Sequence, residues 1–421
     1  MPEPVCLVGA GDFNAVGNEF RLGQIAASHP VILLDAVAPV WARPYLASHI
    51  AADLADPASA LAAVKGYWSR HELRGALTYV PQYLGTTARI AELLQTPSAP
   101  LESLLPCVDL ALLRRQLTRH RVPQPRWAVA CDPKSAVANA ESLGYPILIK
   151  PTRKARELAL LAHNREEVSA AYELVTQQVA GCTVAQREDV LIEENSHGHQ
   201  VSAETVVLDE ADIRIAAITR TAAGALSGQV KRHCIFAHDP LLHNPVLRQI
   251  VMRTVRALGV TRGVLHVQMT LTPGGPRITD VSAHLADDLI PLLVLEATGI
   301  DLPGIAADLS TGRTTNVVPT RQQAAAIQFL YPPVAGYVRR LAVNPQVDSQ
   351  SLLKRIVFTQ KLGNRVTRGP NATAEDQTGH VVVRGPDGPS CHRTLDRIGQ
   401  CIDTAVAPSS PIRAEATCRP K

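Results

Sequence analysis

Apolar and polar positions recur with two periods along the chain, and the switches between them mark out its elements. Val5-Cys-Leu-Val-Gly9 and Val31-Ile-Leu-Leu-Asp35 are short unbroken apolar runs, the pattern of strands buried on both faces. Phe20 to Ala27 between them suits a helix, and Gly75-Ala-Leu-Thr-Tyr-Val80 reads as a later strand. This alternation predicts a parallel sheet flanked by helices. A helix is expected from Val108 to Arg121, ending before Val122-Pro-Gln-Pro125, and another from Lys134 to Ser142. Pro146 to Lys150 reads as a strand. Arg165 to Val179 is helical, with Val168, Ala171, Tyr172 and Val175 on one face. Asp189-Val-Leu-Ile-Glu-Glu-Asn195 is an apolar run ending in acids. Residues 320 to 405 form a last unit, which includes the stretches Ala324 to Gly336 and Gly379 to Gly385 and then a helix from about Ser390 to Val406.

The stretch from Gly263 to His284 carries the most chemistry. Val264, Leu265, Val267, Met269 and Leu271 are β-favouring, and Pro273-Gly274-Gly275 breaks the run, so two strands joined by a turn are predicted. Gln268 lies on the first. Asp280, Ser282 and His284 are two residues apart on the second and share a face. Oxygen ligands on adjacent strands, facing one way, suit a hard cation such as Mg²⁺. A polar solvent face of a hairpin is the plain alternative.

Composition narrows the class. A chain of 421 residues, 46% hydrophobic and 19% charged, should fold as two or three globular domains. Net charge is +4 with no long Lys/Arg run, which argues against nucleic acid or a membrane surface as the main partner. Eight scattered cysteines form no C-x-x-C, so zinc and redox motifs are not expected and thiols are expected reduced. No signal peptide or bilayer-length apolar stretch is seen, so the cytoplasm is the expected location. Gly9, Gly11 and Gly17 invite a dinucleotide reading, with Asp35 ending the second strand, but their spacing is not G-x-G-x-x-G. A tight turn is the preferred reading.

In order and spacing, Lys150-Pro151, Glu193-Glu194, Gln200 to Glu204, the Gly263–His284 hairpin and Asp288 to Asp301 together resemble the ATP-grasp superfamily, most closely its carboxylate–amine ligases, the L-amino-acid and dipeptide ligases. The resemblance covers roughly residues 1 to 405. It implies an α/β protein with an ATP-grasp fold. An N-terminal parallel α/β domain would occupy 1–105, the ATP-grasp region 106–312 with a lid subdomain at about 140–195, a small C-terminal α+β domain 313–408, and a loose tail 409–421.

The resemblance also implies the chemistry. Such a ligase joins a small carboxylate and an amine through an acyl phosphate, using ATP with Mg²⁺ or Mn²⁺, commonly as a homodimer. Lys150 would contact ATP phosphates, as could Arg114 with its neighbour Arg115. Glu193 and Glu194 would form the hinge that reads adenine, and Gln200 stands where the family has the ribose-binding acid. Gln268, Asp280 and Ser282 would face the metal. His284 and Arg220 would act on the reacting groups. The sequence departs from the family at the metal face: Gln268 replaces Glu, Asp280 replaces Glu, Ser282 replaces Asn and His284 replaces Arg. The loop Thr152 to Ala159 lacks the usual glycines and carries Arg153, Lys154 and Arg156 instead. A degenerate relative acting as a nucleotide-binding or regulatory partner is therefore the competing reading.

Overall fold

The computed structural model describes residues 3–12, 17–153, 158–180, 189–223, 230–368 and 376–408. They divide into two compact units: Met1–Arg220 with Ile235–Gln322, and Thr221–Cys234 with Gln323–Lys421.

The first unit opens with β1 (Val5–Val8), α1 (Asn18–Ser28), β2 (Val31–Asp35), β3 (Leu46–Ala51), α2 (Pro57–Trp68), β4 (Gly75–Leu77) and α3 (Leu84–Leu94). The strands form a parallel sheet in the order β3-β2-β1-β4. Val5 to Val8 and Val31 to Leu34 are buried throughout, which accounts for their unbroken apolar runs. The glycines after β1 serve the turn. Gly9 has φ 77°, and a Cβ there would lie 2.4 Å from the Tyr83 ring. The Asp35 carboxylate accepts the Ala10 N–H at 3.0 Å and the Ala36 N–H at 2.8 Å, so it pins this same turn.

After α4 (Leu101–Leu104), α5 (Leu110–Arg119) begins at Asp109, whose carboxylate accepts the Leu112 N–H at 2.9 Å as an N-cap. Then come β5 (Trp127–Ala130), α6 (Pro133–Leu143), β6 (Ile147–Pro151), β7 (Leu160–Ala162), α7 (Arg165–Ala180) and β8 (Val190–Glu194). They make an antiparallel sheet, β5-β8-β6-β7, with its own core of Ile147, Ile149, Val168, Tyr172 and Ile192. In the loop after β6, Lys154 and Arg156 lie outside the described residues.

Next are β9 (His199–Val207), β10 (Ile213–Ala223), β11 (Val230–Phe236), α8 (Pro245–Leu258), β12 (Gly263–Thr272), β13 (Gly275–Ser282), α9 (Ile290–Thr298) and α10 (Leu302–Thr311). β13-β12-β9-β10 are neighbours in that order. The odd-numbered Val201, Ala203, Leu265, Val267, Met269 and Val281 pack into one core with α5 and α8. Strand alternation then turns the even-numbered residues to the opposite face. The hairpin forms as expected, except that His284 lies beyond β13, which ends at Ser282. A bulge after Gln268 pairs Gln268 with Asp280 and Met269 with Ile278.

The second unit contains β14 (Ala324–Leu330), β15 (Gly336–Val343), β16 (Leu353–Phe358), β17 (Arg365–Val366), β18 (Gly379–Gly385), α11 (Gly388–Gln400) and β19 (Ile402–Ala407). β11-β14-β18-β16 run in that order, and β17-β15-β19 form a second sheet. The helix expected to reach Val406 stops at Gln400. Residues 402–407 alternate Ile402, Thr404 and Val406, a β-favouring pattern, and pair with β15. Residues 409–421, expected to be a tail, lie outside the described residues.

Candidate active site

Two groups of polar residues stand out in the first unit. The first sits at the end of the β5-β8-β6-β7 sheet. Lys150 near the end of β6 donates from Nζ to Glu193 Oε2 at 2.8 Å, and Arg114 Nε on α5 donates to Glu193 Oε1. Arg114 and Glu193 are fully buried, while the Lys150 side chain is 18% exposed. Burial pushes the Glu193 carboxyl up, but the two adjacent cations outweigh it and hold its pKa at about 2. Arg114 also donates to the carbonyls of Ile278 at 3.1 Å and Thr279 at 2.6 Å, the two residues at the β13 bulge. One guanidinium thus ties α5, β8 and the bulge together, immediately before Asp280. Its donors point to protein groups, so the arginine read from sequence as a phosphate ligand occupies a bridging position. On β8 next to Glu193, Glu194 is held by Arg126 Nε at 2.5 Å and by Arg277 on β13. Gly198 follows at φ 158°, where a Cβ would lie 2.2 Å from the Leu271 carbonyl oxygen, so the turn into β9 runs tightly against β12.

The second group is the even-numbered face of β9, β12 and β13. Their register sets Gln268 between Ser202 and Asp280, and His266 between Glu204 and Ser282. Gln200 is exposed at its edge opposite Thr270. Glu204 is buried and accepts from Ser202 Oγ at 2.8 Å, Thr219 Oγ1 at 2.8 Å and His266 Nδ1 at 2.9 Å. Burial alone would push the His266 pKa down, but Glu204, with Asp280 and Asp287 adding to it, raises it. The Glu204 pKa is pushed up by burial and brought lower overall by His266 and the two hydroxyls. His284 is buried and its Nδ1–H donates to the Leu285 carbonyl at 2.9 Å, so it faces the strand end, off the β13 ladder. Arg220 near the outer end of β10 forms a two-pronged pair with buried Asp239, at 2.6 and 2.9 Å, and lies 5.5 Å from the Phe236 ring centre.

Two members of this site were missed in the sequence. His266 could have been found by extending the alternation back from Gln268. Arg21 on α1 carried no local signal. It is buried, donates to Asn18 Oδ1 at 2.6 Å and Asp287 Oδ1 at 2.7 Å, and bonds the Ala286 carbonyl, so it ties α1 to the loop that carries His284.

Among the described residues no group of three or more His, Cys, Asp or Glu side chains could hold a metal. Gln268, Asp280 and Ser282 offer one carboxylate and two neutral oxygens, and Asp280 Oδ1 already accepts the Val281 N–H at 2.8 Å. These oxygens are of the kind a hard cation takes, and by themselves they make less than a full shell. Among the described residues no single helix is long and apolar enough to cross a membrane.

No family model matches the sequence. Among solved structures, an L-amino acid ligase from Bacillus licheniformis is similar with a TM-score of 0.80 at 16% identity, covering 96% of this chain and 99% of that one. A carboxyaminoimidazole ribonucleotide synthase from Aspergillus clavatus, solved with ATP, has a TM-score of 0.71 at 12% identity, covering 95% and 98%. In sequence, the uncharacterized protein y4rH of Sinorhizobium fredii is 26% identical over 412 residues, 93% of this chain and 81% of that protein. The carbamoyl phosphate synthase large chain of Archaeoglobus fulgidus is 24% identical over 247 residues, 57% of this chain but only 22% of that much longer protein. The chain has the ATP-grasp fold.

Proposed function

We propose that the protein is an ATP-dependent ligase joining a small carboxylate to an amine. The observation that carries this reading is the pairing of two features in one unit: the Lys150–Glu193–Arg114 cluster at the lid and the oxygen face of Gln268, Asp280 and Ser282. The first can meet a triphosphate, the second the hard cation that accompanies it. Lys150, partly exposed, has ammonium protons to offer phosphate oxygens beyond the one given to Glu193. Backbone groups at Glu194 would meet adenine, and Gln200 can donate to or accept from a ribose hydroxyl. Bound Mg²⁺ or Mn²⁺ would neutralise phosphate charge. In the reaction a substrate carboxylate oxygen attacks the γ-phosphorus and ADP leaves. The amine then attacks the acyl carbon, phosphate leaves, and the nitrogen loses a proton. His284 and Arg220 are the groups assigned to the developing charge, His284 through its imidazole and Arg220 through its guanidinium. Arg21 and Arg114 position the His284 loop and the Asp280 bulge.

The test is release of ADP and phosphate across a panel of amino-acid pairs, with Mg²⁺ or Mn²⁺, and detection of the amide by mass. Release that needs both a carboxylate and an amine supports the reading. Absence of nucleotide binding, or ATP hydrolysis indifferent to added carboxylate, contradicts it.

A further inference from the structure

The side of the sheet remote from this site carries a second feature. α8 buries Leu247, Ile250, Val251, Val255 and Leu258 against the odd-numbered sheet residues, and its other face is exposed. Along that face runs an open groove of about 610 Å³, lined by His243, Pro245, Arg248, Met252, Arg253 and Arg256. There is no Asp or Glu between residues 240 and 279, and none between 110 and 131, the span that contains the adjacent α5. Ordinary surfaces mix the two signs of charge. This one does not. Arg253 caps α5, donating to the carbonyls of His120 at 3.0 Å and Arg121 at 2.6 Å, which brings the basic end of α5 to the groove. Arg248 and Arg256 are exposed, and Val246 leaves 52% of its surface in solvent beside them.

We propose that this groove is a docking site for an acidic amphipathic helix of a partner protein. Its make-up is that of an interface core: arginine and methionine are enriched in such surfaces, and acids and lysine depleted. Met252 supplies an adaptable apolar floor for an aliphatic side chain. The flanking arginines present planar forks that match carboxylates placed a turn apart on a helix. Nucleic acid suits the groove less well. Apart from His243 the lining offers no ring for base stacking, and His243 to Arg256 spans only about 20 Å at 1.5 Å per residue, a short track for a phosphate backbone. The groove lies on the opposite side of the sheet from Gln268 and Asp280, so an occupant leaves the site above open.

The experiment uses the full chain and a fluorescent peptide of about five helical turns, with a Leu/Met stripe flanked by Glu. Its comparators are the same peptide with every Glu replaced by Gln, and a single-stranded thymidine oligonucleotide. Anisotropy at moderate salt should show saturable binding of the acidic peptide. Binding should weaken at least tenfold with the Gln peptide, with Arg248→Glu/Arg256→Glu, and with Met252→Asp. Arg248 and Arg256 are exposed, so unchanged thermal melting is expected of the charge variants, whereas Met252 also packs against the core and its variant should melt lower while still folding. Arg248→Gln/Arg256→Gln serves if the charge reversal fails to fold. Equal binding of the acidic and neutral peptides, unchanged affinity of the charge variants, or no peptide binding would overturn the proposal. So would tighter binding of the oligonucleotide, which would reassign the groove to nucleic acid.

Discussion

Glu193→Gln isolates the buried charge cluster. The carboxylate sits between a fully buried guanidinium and an ammonium that is 18% exposed. The amide keeps the shape and removes the charge, leaving Arg114 with the carbonyls of Ile278 and Thr279 but no anion. Removing one partner of a buried pair typically costs about 3–5 kcal/mol. The pH dependence gives an independent magnitude. The Glu193 pKa falls from its ordinary 4.5 to about 2, which corresponds to about 3 kcal/mol at neutral pH. Because the folded-state value is depressed, this stabilisation is full above about pH 4.5 and is lost as pH falls through about 2. Urea unfolding followed by circular dichroism at a series of pH values should therefore show a large gap between wild type and variant at pH 7. The gap should close as the pH approaches 2. Adding Arg114→Met should recover part of the loss, because the orphaned charge goes with it. A gap below about 1 kcal/mol at pH 7, or one of the same size at both ends of the range, would refute the argument.

Lys150→Ala should weaken ATP binding at least tenfold, about 1.4 kcal/mol, in calorimetry with the fold intact; unchanged affinity would remove Lys150 from the site. Gln268→Glu adds a second carboxylate opposite Asp280 and should tighten Mg²⁺-dependent nucleotide binding, whereas weaker binding would show that the face does not meet the metal. Asp280→Asn should remove most turnover and leave melting nearly unchanged, since Asp280 is the one carboxylate of the three proposed metal-facing side chains; equal turnover in both forms would sink the metal-face assignment.

The fold was legible wherever periodicity is local. The buried runs of β1 and β2 and the helical stripe of α7 appear in the sequence much as they fold. Alternation also revealed the shared face of Asp280 and Ser282, since side-chain direction in a strand depends only on position along it. What stayed hidden depends on distant partners. Arg114 sits beside Arg115 on α5, and nothing nearby marks it as the buried one of the two. Its anchors are 79 residues away at Glu193 and 165 at Thr279. The Arg21–Asp287 tie spans 266 residues and is equally invisible to local pattern. β19 was read as a continuation of α11 because its pairing with β15 is a tertiary fact.

Transfer of oxygen tests the ligase most directly. With a carboxylate substrate labelled with ¹⁸O in both oxygens, attack on the γ-phosphorus carries one labelled oxygen into the phosphate released when the amine displaces it. The account predicts one ¹⁸O in phosphate for each amide formed, dependent on Lys150 and Asp280. Amide formed with unlabelled phosphate, or ATP consumed without label transfer in the presence of both substrates, would contradict it.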